Sequence, residues 1–227
     1  MKRLIGIIIF VNGLLLSGCI SESLSEQNRD NSEPLAFGED IESFASEDLN
    51  DSEMSGLIFM REEEKLARDV YNVLYEKWGK RVFNNIAQSE QKHTNAIKVL
   101  LDKYEIEDPV KIYVPGNFTN QDLQNLFDTL IIKGDSSLLD ALYVGALIEE
   151  VDILDIQKEL DEHVDNEDIV FVYDNLIRGS YNHLKAFVRN ISRFGIEYEP
   201  QSLSLDQFNS ILNQWFVKLD TLNYKYD

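Results

Sequence analysis

The run Leu57-Ile58-Phe59-Met60-Arg61-Glu62-Glu63-Glu64-Lys65-Leu66-Ala67-Arg68-Asp69-Val70-Tyr71 sets Leu57, Met60, Glu64, Ala67 and Tyr71 three and four residues apart, and Leu74 and Trp78 continue the series. That spacing is the inward stripe of a helix in a packed bundle. Glu64 stands in the stripe where an apolar side chain belongs. Glu62 and Glu63 fall off it and read as solvated surface charges.

Three further stretches repeat the pattern. Phe83, Ile86, Glu90, His93, Ile97, Leu100 and Tyr104 form the second stripe, interrupted by Glu90 and His93 one turn apart and therefore on one face. Leu138, Leu142, Gly145, Glu149, Asp152, Ile156 and Leu160 form the third, with Glu150 outside it. Ile169, Tyr173, Leu176, Ser180, His183, Phe187, Ile191 and Phe194 form the fourth, with Ser180 and His183 in the gap. Strand-period alternation is not sustained anywhere, so the chain reads as all-α.

Punctuation sets the boundaries. The first helix is predicted from Ser52 to Gly79 and the second from Arg81 to Tyr104, glycine being a common C-terminal stop. A loop with Pro109 and Pro115-Gly116 follows, and Thr119 with Asp122 resembles a capping pair opening a shorter helix to Gly134. Ser136-Ser137 with Asp140 opens the third stripe's helix, which lasts to Leu160 or His163. The fourth runs from Glu167 to Gly195, and Ser204 with Gln207 caps a last helix through Val217, around Phe208 and Trp215.

In all four long helices the polar interruption lies near mid-length, so antiparallel packing brings the interruptions to one level. Glu64, Glu90, Glu149 and Asp152 are then buried carboxylates, each costing several kcal/mol if unneutralised, a burden that a domain of marginal stability could hardly carry. Buried charges are paired or coordinate metals. With His93 and His183 as the nitrogen ligands and no sulfur in the set, iron or manganese suits best, with zinc a further option. Two divalent ions balance four carboxylates. In carboxylate-bridged di-metal bundles a Glu comes from each of two helices and a Glu-x-x-His from each of the other two. Glu90-Gln91-Lys92-His93 matches that pattern, whereas Ser180 stands where the second such Glu would be. The competing reading is that these groups satisfy one another by hydrogen bonds.

The chain of 227 residues carries 41 acidic and 21 basic side chains, a formal charge of −20. Such a surface repels phosphate backbones, and no nucleic-acid partner is expected. Residues 1–18 read as a signal peptide: Met1-Lys2-Arg3, an apolar run from Leu4 to Leu16, then Ser17-Gly18-Cys19. The run is shorter than the ~20 residues of a spanning helix. Leu16-Ser17-Gly18-Cys19 resembles a lipobox, which implies lipidation of Cys19 and an extracytoplasmic protein anchored to the cell membrane; plain secretion is the alternative. Cys19 is the sole cysteine, so it forms no intramolecular disulfide. Residues 19–50, rich in Ser, Glu, Asp and Asn, read as a flexible acidic tether from which Phe37, Ile41 and Phe44 can dock on the domain formed by residues 51–227.

Met60-Arg61-Glu62-Glu63-Glu64-Lys65-Leu66-Ala67-Arg68-Asp69-Val70-Tyr71, Ser89-Glu90-Gln91-Lys92-His93, Gly145-Ala146-Leu147-Ile148-Glu149-Glu150-Val151-Asp152-Ile153 and Gly179-Ser180-Tyr181-Asn182-His183-Leu184 together resemble a ferritin-like family of prokaryotes catalogued as domain of unknown function 2202. The resemblance spans Ser52 to the last helix and implies a ferritin-like antiparallel four-helix bundle, with one extra helix in the crossover and another at the C-terminus. A more distant similarity is to the rubrerythrins, which are di-iron peroxidases. It implies Glu64 and His93 as terminal ligands, Glu90 as a bridge, and Glu149, Asp152 and His183 as the rest of the set. Rubrerythrins carry a cysteine-rich electron-transfer module that this sequence cannot build, so an external electron donor is implied for any redox activity.

The leading expectation is a membrane-tethered di-iron protein reacting with O2 or peroxide. The alternatives are a metal-binding module without turnover and a structural or partner-binding bundle. A homodimer fits a lipid-tethered subunit better than a closed cage. Tyr71, Tyr143 and Tyr173 lie in register to hydrogen-bond near the centre, with core packing as their simpler role. His163 lies past the third stripe and is expected at the surface.

Overall fold

The computed structural model describes residues 39–213. The predicted signal peptide, Cys19, Phe37 and Trp215 lie outside the described residues. A short helix, α1 (Glu39–Ser43), precedes four long ones: α2 (Asp51–Trp78), α3 (Arg81–Lys103), α5 (Leu138–Glu162) and α6 (Glu167–Ser192), with α4 (Gln121–Gly134) between the second and third of them. A last helix, α7, runs from residue 205 to 213. The described residues contain no strand, and none of their helices is long and apolar enough to cross a membrane.

The helix starts follow from capping chemistry. Asn50 accepts the N–H groups of Ser52 and Glu53 while Glu53 returns a bond to the Asn50 N–H, so α2 opens on this capping box. It stops at Gly79, whose φ of 61° is the left-handed conformation glycine adopts without a Cβ penalty. The expected pair of Thr119 and Asp122 is not the cap of α4. Asn120 accepts the N–H of Asp122 and Leu123, and the Thr119 hydroxyl instead donates to the Pro109 carbonyl. Ser137 caps α5 through the Asp140 N–H, and Ser204 with Gln207 forms the expected box before α7. Helix α6 ends three residues short of Gly195. Phe194, read as inward, leaves the stripe where the chain turns and is 48% exposed.

The molecule is a ferritin-like antiparallel four-helix bundle. Helix α2 packs along α3 and α5 along α6, and the pairs join with α3 against α6 and α2 against α5. Below the bundle's polar level lies an aromatic layer in which the Tyr71 and Phe187 rings are 5.3 Å apart and those of Phe83 and Phe187 5.7 Å apart. Gly145 is part of that layer, because a Cβ there would lie 2.3 Å from the Phe187 ring. At the other end Ile41 of α1 is fully buried and Phe44 packs on Phe171 at 5.3 Å.

The crossover between α3 and α4 is fastened to α2 by side chains that the stripe does not include. Arg61 donates to Asp108 at 3.1 and 3.0 Å and to the Thr94 carbonyl at 2.8 Å. Lys65 is held by Asp69 at 2.6 Å and by the carbonyls of Val114 and Asn117. Glu62, expected in solvent, is buried because its carboxylate accepts the N–H groups of Thr119 and Asn120 where the crossover enters α4. Glu150, also off the stripe, is fully buried for a parallel reason. It accepts the Tyr198 hydroxyl and the N–H groups of Gln201, Ser202 and Leu203, fixing the segment before α7 to α5.

Candidate metal centre

Each long helix delivers its stripe interruption to one level of the core. Glu64 comes from α2, Glu90 and His93 from α3, Glu149 from α5 and His183 from α6, and all five are buried. They make two groups. Glu64, Glu90 and His93 bring ligand atoms within 4.8 Å of one another, and so do Glu90, Glu149 and His183.

Glu90 belongs to both groups and spans them. Its Oε2 lies 2.7 Å from His93 Nδ1 and its Oε1 lies 2.8 Å from His183 Nδ1. On the outer sides, Glu64 Oε2 is 3.2 Å from His93 Nδ1 and Glu149 Oε2 is 3.3 Å from His183 Nδ1. The imidazoles lie nearly parallel, 27° from coplanar and 5.5 Å apart.

Asp152, the sixth residue expected, is in neither group. It is buried one turn beyond Glu149 and accepts the Ser180 hydroxyl at 2.5 Å on Oδ2. Ser180, the departure from the Glu-x-x-His pattern, therefore faces a carboxylate delivered from α5, and its hydroxyl also bonds the Leu176 carbonyl.

The polar atoms of the centre converge more than they pair. His183 Nδ1 is close to two carboxylate oxygens, yet neither approach has hydrogen-bond alignment. Glu64 Oε1 and Asp152 Oδ1 are likewise buried without a hydrogen-bond partner. Such orphaned groups cost about 1–3 kcal/mol each, and two of them, Glu64 and His183, belong to the groups that could hold a metal ion. The set, carboxylates with imidazole and no sulfur, could hold a divalent cation.

The electrostatics agree with that fit. Burial, opposed by His93, lifts the Glu64 carboxyl to about 7. Burial raises Asp152 well above the ordinary carboxylate range, reinforced by Glu64, Glu149 and Glu90, and it raises Glu149 against the opposing charge of His183. For Glu90 burial acts in the same direction, but the histidines at its two oxygens outweigh it and hold the carboxyl well below the ordinary range. Burial disfavours both imidazolium ions. The surrounding carboxylates win, pushing His183 up to about 10 and His93 well above its usual value. In the metal-free protein, protons supply the neutralisation that this cluster demands.

Of the tyrosines in register, Tyr71 donates to Glu149 Oε1 at 2.5 Å. Tyr143 instead packs on Tyr198 at 5.3 Å, and the Tyr173 hydroxyl lies toward Gly56. His163 caps α5 and is 27% exposed. Two residues beside the centre lie outside the stripe pattern. A Cβ at Gly179 would lie 2.7 Å from His93 Cε1 and Nε2, so glycine lets α6 approach the ring. Glu63, expected in solvent, is buried because it faces α5, where it hydrogen-bonds Asp155. A glycine beside a seam position is a cue to close packing, but the sequence does not say against what.

Comparison with known proteins gives a consistent picture. The family described as "Uncharacterized protein domain (DUF2202)" matches residues 53–214. Over 173 residues the chain is 50% identical to "Uncharacterized protein MJ0754" of Methanocaldococcus jannaschii, covering 76% of this chain and 93% of that protein. The crystal structure of "hypothetical protein MJ0754" superposes with a TM-score of 0.73, covering 75% of this chain and 97% of the other.

Proposed function

The chain belongs to the uncharacterized domain family DUF2202, and within it we propose a membrane-tethered protein that holds two divalent ions, iron by preference, and uses them for redox chemistry with O2 or peroxide. The observation that carries the two-ion reading is Glu90, whose two oxygens each meet a different histidine at 2.7 and 2.8 Å. A carboxylate so disposed could be shared by two ions. Glu64 and His93 would help hold one ion, Glu149 and His183 the other, and Asp152 would add a carboxylate beside them.

Ferrous iron held by these residues would supply the electrons for reduction of O2 or peroxide. The chain's own residues provide the setting. Tyr71 donates a hydrogen bond to Glu149 Oε1 and orients that carboxylate, as partners of ligand residues generally do. Ser180 does the same for Asp152. The layer of Tyr71, Phe83 and Phe187 keeps bulk water from one side. Membrane attachment rests on Cys19 within Leu16-Ser17-Gly18-Cys19. Cys19→Ser is expected to move the protein from the membrane to the soluble fraction.

Metal analysis of protein purified without chelator tests the centre: about two ions per chain are expected, and fewer in Glu64→Ala. An unchanged count in that variant refutes the ligand set. A binding module without turnover is the second reading, favoured by the single cysteine, which provides no built-in electron-transfer module. Stopped-flow mixing of the ferrous-loaded protein with O2 or peroxide separates the two, since only the enzyme oxidises iron faster than free solution does.

A further inference from the structure

The buried charges of α2 have partners of opposite character with one exception. Arg61 meets Asp108, Glu62 meets backbone N–H groups, and Lys65 meets Asp69. Glu63, 7% exposed, faces other acids: it hydrogen-bonds Asp155 and lies near Asp152 and Glu64. Asp152 and Asp155 are one helical turn apart on α5 and so share the face turned to α2. Asp152 is buried beside the centre, whereas Asp155 is half-buried. Asp155, Glu63 and Asp152 thus step from the α2–α5 seam toward the ligands.

Two of these steps end in an atom with nothing to bind. Glu63 Oε2 and Asp152 Oδ1 are both buried and lack a hydrogen-bond partner. Burying an acid among acids brings no structural gain by itself. The three carboxylates also do not gather into a group of the kind seen twice at the centre, where ligand atoms lie within 4.8 Å of one another. Spaced oxygens of this sort make a poor cage. They suit handover, in which a cation exchanges its waters for one carboxylate at a time and is never held tightly.

We propose that Asp155 and Glu63 form the route by which divalent cations pass from solvent through the α2–α5 seam to Asp152 and the metal centre. The proposal rests on the metal-centre reading. It assigns Glu63 and Asp155 to delivery and not to the bound state, and that distinction is open to measurement.

The test is stopped-flow uptake of Co2+ by the metal-free full-length chain, followed by absorbance, with the number of ions bound measured at equilibrium. Glu63→Gln and Asp155→Asn keep shape and hydrogen-bonding capacity while removing charge. Each is expected to slow uptake by about tenfold, the low end of what a cleft of one charge sign adds to an association rate. Neither should change the final spectrum or stoichiometry, and the double variant should be little slower than either single one. Uptake at the wild-type rate in both variants overturns the route, as does loss of a bound ion in Glu63→Gln, which makes Glu63 a ligand. Wild-type protein that takes up no Co2+ overturns the metal-centre reading itself.

Discussion

Ser180 of α6 donates its hydroxyl to Asp152 of α5 at 2.5 Å. A short side chain on one helix is thereby matched to a carboxylate arriving from its neighbour, and Asp152 Oδ1 is buried with no hydrogen-bond partner. Ser180→Ala removes the hydroxyl that donates to Asp152. By analogy with other residues that orient ligands, affinity for one of the two proposed ions should fall about 10- to 100-fold. Competition titration against a chelator reads this directly, with the other ion as internal reference.

Gly179→Ala should damage the centre more than the fold. The new methyl would lie 2.7 Å from the His93 ring, and the ring must turn away from Glu64 and Glu90. Loss of bound metal with near-normal helicity by circular dichroism is the expected result. Gly145→Ala is the contrasting case, since its Cβ meets the fully buried Phe187 ring at 2.3 Å. Overpacking of that kind costs about 1–3 kcal/mol, seen as a lower midpoint in urea with metal binding retained.

Stability of the metal-free protein should fall as pH rises through neutrality. The Glu64 carboxyl rises on folding from 4.5 to about 7, so its protonated form favours the fold below 4.5 and that contribution is lost by about 7. His183 rises from 6.5 to about 10, and its contribution, complete below 6.5, is lost as pH passes through 10. Both act in the same direction. A divalent ion replaces these protons, so the rise in Tm on adding metal should widen between about pH 5 and pH 9. A constant difference measured by calorimetry would show that protons and metal do not compete for one cluster.

Glu150→Ala should release the segment before α7. Its carboxylate accepts three backbone N–H groups and the Tyr198 hydroxyl, and donors left buried without partners cost about 1–3 kcal/mol each. Faster hydrogen exchange at residues 198–211, with metal stoichiometry unchanged, is the expected signature.

The stripe spacing was enough to find the all-α fold, the four long helices and five residues that meet at the centre: Glu64, Glu90, His93, Glu149 and His183. Local spacing reports which side of a helix faces its nearest helical neighbour. It is blind to cover that arrives from far along the chain, which is why Glu62 and Glu150 looked solvated although the crossover and the pre-α7 segment bury them. Glu63 was missed for a related reason: α2 buries a second face, against α5, and one stripe cannot describe two faces. Asp152 was found as buried and acidic. That it falls outside the two groups and instead accepts the Ser180 hydroxyl is a contact between α5 and α6, which no periodicity contains.

From Phe59 to Tyr71 every residue of α2 except Arg68 is buried, and the reasons differ around the helix: crossover, α5, aromatic layer and centre. Mutational drift along this stretch is therefore restrained mainly by packing partners, with Glu64 and, on the proposed route, Glu63 the residues that would answer to a metal. A descendant that had abandoned metal would still be obliged to keep most of Met60-Arg61-Glu62-Glu63-Glu64-Lys65-Leu66-Ala67-Arg68-Asp69-Val70-Tyr71. The α2 signature diagnoses ancestry; His93, Glu149 and His183 are the positions to inspect before crediting a relative with the same chemistry.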